Sequence, residues 1–332
     1  GGGSASVGGN ASSGTGGNGG SGIVIVNSST NGAAGLTINT GSGGITLSGA
    51  VGTTTALGSI SLTSSTAINL GANVSTTGAQ TYTGPVVLTS SVTATTTNST
   101  VAFSSTVNSA ANVGNTASAA NPLTVSAGSG NVTFTGIVGG ATNGALGALA
   151  VNTTGTTTFS AAVTAASVTT NAGGTVALNG ATVTTTGAQT YNDAVVLGAD
   201  TTLAATTATF NDTITGAYGL TITGNAVFGN ATADTVTLTG TNKALSVSGT
   251  STINANITTT GGQTYTGATT LGAIVTLSAS SITTGSTFAA GTYALTMTTD
   301  AISLGGALSG SAALVIQPKT TSTTIALGTD AT

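Results

Sequence analysis

Few side chains in this sequence can do acid–base, metal or nucleophilic chemistry, and all of them can be named. The anions are Asp193, Asp200, Asp212, Asp234, Asp300 and Asp330, and the cations are Lys243 and Lys319. Glu, Arg, His, Cys and Trp do not occur. The commonest general bases are therefore missing, as are thiolate nucleophiles, disulfides and sulfur-ligated zinc. Asp193 and Asp212 hold equivalent places, in Tyr-Asn-Asp and Phe-Asn-Asp, 19 residues apart, and Asp234 follows 22 later. Stacked carboxylates of this kind are candidates for calcium, which takes carboxylate and carbonyl oxygens. The plainer reading is an Asn-Asp corner turn on the surface. Carboxylate pairs also serve glycoside hydrolases, but such sites add Arg, His or Glu around a cleft. We therefore expect no enzyme, no catalytic residue, no cofactor and no resident metal.

Lys243 and Lys319 lie outside any Gly-Lys-Ser/Thr phosphate loop and read as solvated surface residues. Two lysines and a net charge of −4 cannot neutralise several phosphates, so nucleic acid is not an expected partner. Thr-x-Thr runs could form a flat ice-binding face, but their scatter fits strand filler better. Asn-x-Ser/Thr sequons such as Asn73, Asn98 and Asn152 are expected by chance in so Ser- and Thr-rich a chain.

The elements that must position these residues are short. From residue 23 the chain alternates in runs such as IVIV, LTI, ITL and SISL, bounded by Gly, Asn or Ser. β-Branched residues with period two read as strands, and Gly and Asn between them as turns. No window carries sustained helical periodicity, and no apolar run is long enough for a membrane helix. Residues 1–22, GGGSASVGGNASSGTGGNGGSG, have the composition of a flexible head or linker.

Internal repeats decide how the strands stack. TTGAQTYTGPVVL, TTGAQTYNDAVVL and TTGGQTYTGATTL place their tyrosines at Tyr82, Tyr191 and Tyr265. The separations, 109 and 74, are near multiples of about 18. A longer pair, GLTINTGSGGITLSGAVG and PLTVSAGSGNVTFTGIVG, matches Leu36 to Leu123 and Leu47 to Phe134. An aromatic or Leu followed four residues on by a β-branched residue recurs, as in Tyr82-TGPV, Phe103-SSTV, Phe159-SAAV and Phe210-NDTI. Tyr191, Phe210 and Phe228 are 19 and 18 apart, and Tyr265 lies 37 beyond. The expectation is an all-β chain, a parallel β-solenoid with rungs of about 18–20 residues, continuous over 23–332 with roughly 16 rungs. Tyr191, Phe210, Phe228 and Tyr265 would form its stacking ladder. Leu36, Val86, Leu88, Leu123, Val195 and Leu197 would face its core.

GLTINTGSGGITLSGAVG, LGALAVNTTGTTTF and TTTGAQTYNDAVVLGADTTL resemble the repeats of filamentous-haemagglutinin-like exoproteins and related autotransporter-type surface adhesins of Gram-negative bacteria. The similarity spans roughly residues 35–316. It implies a right-handed parallel β-helix, export across the outer membrane, and a role in attachment or biofilm. No secretion-domain signature accompanies it, only Asn121-Pro122-Leu123, and without Arg there is no Arg-Gly-Asp motif.

Charged residues make up 2% of the chain, against roughly 25% in ordinary globular domains. A soluble monomer usually keeps surface charge to prevent association, whereas a Thr, Ser, Asn and Gly surface can pack on copies of itself. The expected function is an extracellular, self-assembling fibre or sheath subunit at a cell surface. The alternative is a stalk or passenger segment of a larger secreted adhesin. Expected partners are copies of the chain, with a host or abiotic surface or an extracellular polysaccharide as further possibilities. The glycine-rich head, with Gly1, Gly2, Gly3 and Val7, is the expected assembly element, because backbone can approach backbone closely at glycine.

Overall fold

The computed structural model describes residues 5–6, 24–26, 31–110, 120–231 and 233–321. All regular structure among them is β, and every strand pairing is parallel. The chain divides into two compact units, Gly1–Gly180 with Thr184–Thr186, and Ala181–Val183 with Gly187–Thr332. Each is a β-solenoid in which the chain runs along three faces per turn.

In the first unit, one face is built from Leu36–Asn39, Ile60–Thr63, Gln80–Thr83, Val101–Phe103, Val132–Phe134, Thr156–Phe159 and Thr175–Leu178. The next face runs through Val24–Val26, Ile45–Leu47, Ile68–Leu70, Val86–Leu88 and Val107–Ser109. The third runs through Val74–Thr76, Val92–Thr96, Leu123–Gly128, Leu146–Thr153 and Val163–Thr170. In the second unit the aromatic-bearing face passes from Gln189–Tyr191 through Thr201–Phe210 and Leu220–Phe228 to Ser251–Ile253, Thr269–Leu271, Phe288–Gly291 and Leu308–Gly310. Seven successive rungs stand on this face in each unit.

The alternating pattern explains the packing. Inward residues of each strand meet the same position one rung away, so Val86, Leu88 and Leu123 are fully buried, and Val195 and Leu197 are 1% and 2% exposed. Leu36, on the first described rung of its face, is only half-buried. Outward Thr, Ser and Asn stay in water. Buried threonines at strand ends turn inward and donate to a carbonyl two or three residues on: Thr76 to Gly78 at 2.6 Å, Thr96 to Ser99 at 2.6 Å, Thr259 to Gly261 at 2.9 Å and Thr299 to Ala301 at 2.8 Å. These bonds satisfy backbone oxygens that the corner removes from the strand pairing.

Two expectations need correction. Rungs are not uniformly 18–20 residues. Thr269 pairs with Ser251, 18 residues back, but Val132 pairs with Thr157, 25 on, and Val101 pairs with Val132, 31 on. The strands keep their register, and the extra residues enter at corners, which carry no pairing to preserve. There are consequently fewer rungs than the roughly 16 expected. Strands also exceed six residues where the chain bends round a corner without breaking, as in Thr201–Phe210, Val275–Thr284 and Leu295–Leu304.

The sequence repeats are not whole turns either. Leu36 lies on the first face of its unit and its counterpart Leu123 on the third. Leu47 lies on the second face and its counterpart Phe134 on the first. The duplicated unit is a strand–corner–strand piece that fits any face, because all three faces ask the same thing of it: an alternating strand with an apolar inner side.

Candidate functional site

The aromatic rings form two stacks. In the first unit Tyr82, Phe103, Phe134 and Phe159 follow one another with centroids 4.9, 5.0 and 5.2 Å apart and ring planes within 13° of parallel. In the second, Tyr191 and Phe210 are 5.3 Å apart, and Phe210 and Phe228 are 5.7 Å apart. Parallel strands in register repeat at about 4.8 Å, so rings at one position must stack face to face with a small offset. Tyr265 does not join this column. It pairs with Val247 below and Thr284 above, on the face that follows the second corner. The column continues from Phe228 to Ile253 and Leu271 instead. The cause is the long rung after Phe228, whose corners at 229–234 and 239–244 add residues and shift the phase of everything after them.

The repeated motif does hold one constellation in every copy. Gln80, Gln189 and Gln263 are wholly buried. Each donates from Nε2 to the carbonyl six residues back: to Val74 at 3.2 Å, Val183 at 3.0 Å and Ile257 at 3.1 Å. Each also donates to the carbonyl fifteen residues on, those of Thr95, Ala204 and Ser278, at 2.8 to 3.0 Å. Each Oε1 accepts the hydroxyl of the tyrosine two residues later, Tyr82, Tyr191 or Tyr265, at 2.8 to 3.0 Å. The clamp ties one strand to the next turn and gives the buried phenol its partner. Burial pushes all three phenols well above the usual tyrosine range. The clamp keeps its geometry although Tyr265 stands on another face than Tyr191. Sequence reasoning treated the motif as a period marker and passed over the glutamines. The signal was there: three of the four Gln in the chain sit two residues before a motif tyrosine.

The acidic residues go to corners. Asp193, Asp212 and Asp234 precede Val195, Ile214 and Val236, which are in register on successive rungs, so the three occupy one corner column. Asp193 is buried and Asp212 half-buried. Asp212 accepts its own neighbour's amide, Thr213 N–H, at 2.6 Å. Asp234 Oδ2 accepts Asn230 and Ala231 N–H at 2.8 and 2.9 Å and closes the long turn of that corner. The link between the Asp193 and Asp212 rungs is made by the preceding asparagines, Asn211 Nδ2 donating to Asn192 Oδ1 at 2.6 Å. Among the described residues no three acidic side chains converge as a metal cage would require. These positions act as turn residues. Asp330 and the head residues Gly1, Gly2, Gly3 and Val7 lie outside the described residues; within the head, Ala5 and Ser6 pair with Val24 and Ile25.

A different edge of the second unit gathers the remaining charge. The corners between its second and third faces carry Asp200, Lys243, Asp300 and Lys319, with the exposed ring of Tyr218 between the first two. Lys243 Nζ donates to both oxygens of Asp200, at 2.8 and 2.9 Å, and lies 5.7 Å from the Tyr218 centroid, within cation–π range. Gly219 N–H donates to Asp200 at 2.8 Å. That amide and then Lys243 hold the Asp200 carboxyl below the usual carboxylate range. Asp300 accepts the amide and hydroxyl of Thr320, both at 2.7 Å, which lowers its pKa likewise. Lys319 Nζ donates to the Thr259 carbonyl at 2.8 Å, sixty residues back. Each of these contacts joins separate turns. The lysines are thus not merely solvated, as expected from the sequence, but fasten rungs together. Comparison with family models, with curated proteins and with solved structures gives no match.

Proposed function

We propose that this protein is an extracellular structural element, a self-assembling fibre or sheath subunit at a cell surface, and that it performs no catalysis. The observation that carries the reading is the last described rung. Leu304, Leu314 and Val315 are 41%, 49% and 43% exposed, and among the described residues Leu314–Gln317 pairs on one side only, with Leu295–Thr298. An exposed parallel edge with apolar side chains is a template for another strand. The faces leading to it carry hydroxyls and amides rather than charges, so a second copy could approach without burying an unpaired ion. The resemblance to repetitive exported adhesins supports a location outside the cell, and it favours the second reading, a stalk or passenger segment of a larger secreted adhesin. Negative-stain microscopy of the purified chain at micromolar concentration separates the two. Filaments that lengthen with concentration support the polymer. Uniform short rods at every concentration reject it and favour the stalk.

A further inference from the structure

We propose that the corner built by Asp200, Tyr218 and Lys243 is a binding subsite for a neutral sugar ring. A groove of about 260 Å³ opens beside the ion pair, floored by Gly219 and Leu220 and walled by Thr202, Thr221 and Asn242. It is smaller than the pockets that enclose drug-sized ligands, and it suits one ring of a longer chain lying along the edge.

The chemistry of the groove selects the class of ligand. Tyr218 brings an exposed aromatic surface, the partner that the C–H face of a pyranose needs. Asp200 brings acceptor lone pairs on a carboxylate already fixed by Gly219 N–H and Lys243. Lys243 Nζ and the Asn242 amide supply donors. An acceptor and a donor held side by side match two neighbouring sugar hydroxyls, each of which can give and take a hydrogen bond. Because Asp200 and Lys243 neutralise each other, the site offers no net charge to attract an ion. A uronate or sulfated sugar would have to displace Asp200 from Lys243 and leave that carboxylate unpaired. The preferred ligand is therefore uncharged. A few polar contacts and one ring of stacking correspond to a dissociation constant on the order of 1 mM for a single site.

The site stands apart from self-assembly, since it lies on the turns from Asp200 to Lys243 and not on the last rung. The test is saturation-transfer NMR on the full chain at a concentration where it is monomeric. The probes are cello-, xylo- and galacto-oligosaccharides, with oligogalacturonate as the charged comparison. The expected result is transfer to at least one neutral oligosaccharide, reduced at least tenfold in Tyr218→Ala and in Asp200→Asn. Tyr218→Ala, an exposed corner change, should leave the melting temperature unaltered. No transfer to any neutral probe overturns the proposal, as does transfer unaffected by Tyr218→Ala or a preference for oligogalacturonate. If wild type binds nothing while Asp200→Asn lowers the melting temperature, the corner is a rung fastener only.

Discussion

The hydroxyl of Tyr82 donates to Gln80 Oε1 at 2.8 Å inside a core from which water is excluded, and Gln80 Nε2 in turn reaches the Val74 and Thr95 carbonyls. The bond joins side chains on the same side of one strand, and the glutamine joins that strand to its neighbours before and after. Tyr191 with Gln189 and Tyr265 with Gln263 repeat the relationship. A buried network of this sort is stabilising only while every member is satisfied.

Removing one member should therefore be felt more than its single bond suggests. Tyr82→Phe leaves Gln80 Oε1 without its donor and should cost about 1–3 kcal/mol. Gln80→Ala removes a donor from two carbonyls, orphans the phenol and leaves a cavity, and should cost about 3 kcal/mol or more. Chemical denaturation of the two variants gives the order. A Gln80→Ala protein as stable as Tyr82→Phe would mean that the amide does not clamp.

The buried phenols set an alkaline limit. Burial raises the folded pKa of Tyr82, Tyr191 and Tyr265 above the unfolded value of about 10. The stability tied to their neutral form is thus fully present below about pH 10 and is lost as pH rises towards the folded values. Tyrosinate absorbance and circular dichroism followed together should show these three phenols ionising as the β signal disappears. Ionisation of all five tyrosines with the β signal intact would contradict the burial.

How much of this could be read from the sequence depends on where the chain keeps its period. Tyr191, Phe210 and Phe228 are separated by short corners, so the spacing of 19 and 18 led straight to a stack. Tyr82, Phe103, Phe134 and Phe159 stack as closely, but corners of varying length separate them, and no fixed period finds them. What they share is local: each is followed four residues on by Val86, Val107, Val138 or Val163, which opens the next face across the corner. The same corner lengths carried Tyr265 off the ladder. Parallel strands and the inward Val, Ile and Leu followed from alternation, which corners do not disturb. The charged edge was hidden because Asp200 and Lys243 are 43 residues apart, two unequal rungs, and no local pattern marks the meeting.

Glycines at corners divide into those needed for conformation and those needed for closeness. Gly41 has φ of +57° and open space where a Cβ would stand. Gly41→Ala should cost only the left-handed backbone, about 1 kcal/mol. Gly84 has φ of +137°, and a Cβ there would lie 1.9 Å from the Ser64 carbonyl oxygen of the adjacent turn. Gly84→Ala must push two rungs apart and should cost well over twice as much. Thermal melts of the two variants side by side decide it. Equal losses would show that rung spacing at that corner is soft.

The stacked rings raise a question that burial alone does not answer: whether the stack stabilises beyond the area that each ring hides. Phe103 sits between Tyr82 and Phe134 at 4.9 and 5.0 Å, and Phe103→Ala should cost about 3–5 kcal/mol, as large-to-small core changes do. Any buried Phe would give that result. A double-mutant cycle isolates the pair term. Phe103→Leu and Phe134→Leu, singly and together, keep the site apolar and nearly filled while removing ring–ring contact. A coupling of about 0.5–1.5 kcal/mol is expected for them. The control is the aliphatic column one face on, where Leu47 and Leu70 pair on adjacent rungs and are equally buried. Changing both to Val should show a smaller coupling, because aliphatic packing lacks the quadrupole term. Equal couplings in the two columns would mean that the aromatics are present for volume, and that the two stacks follow from register alone.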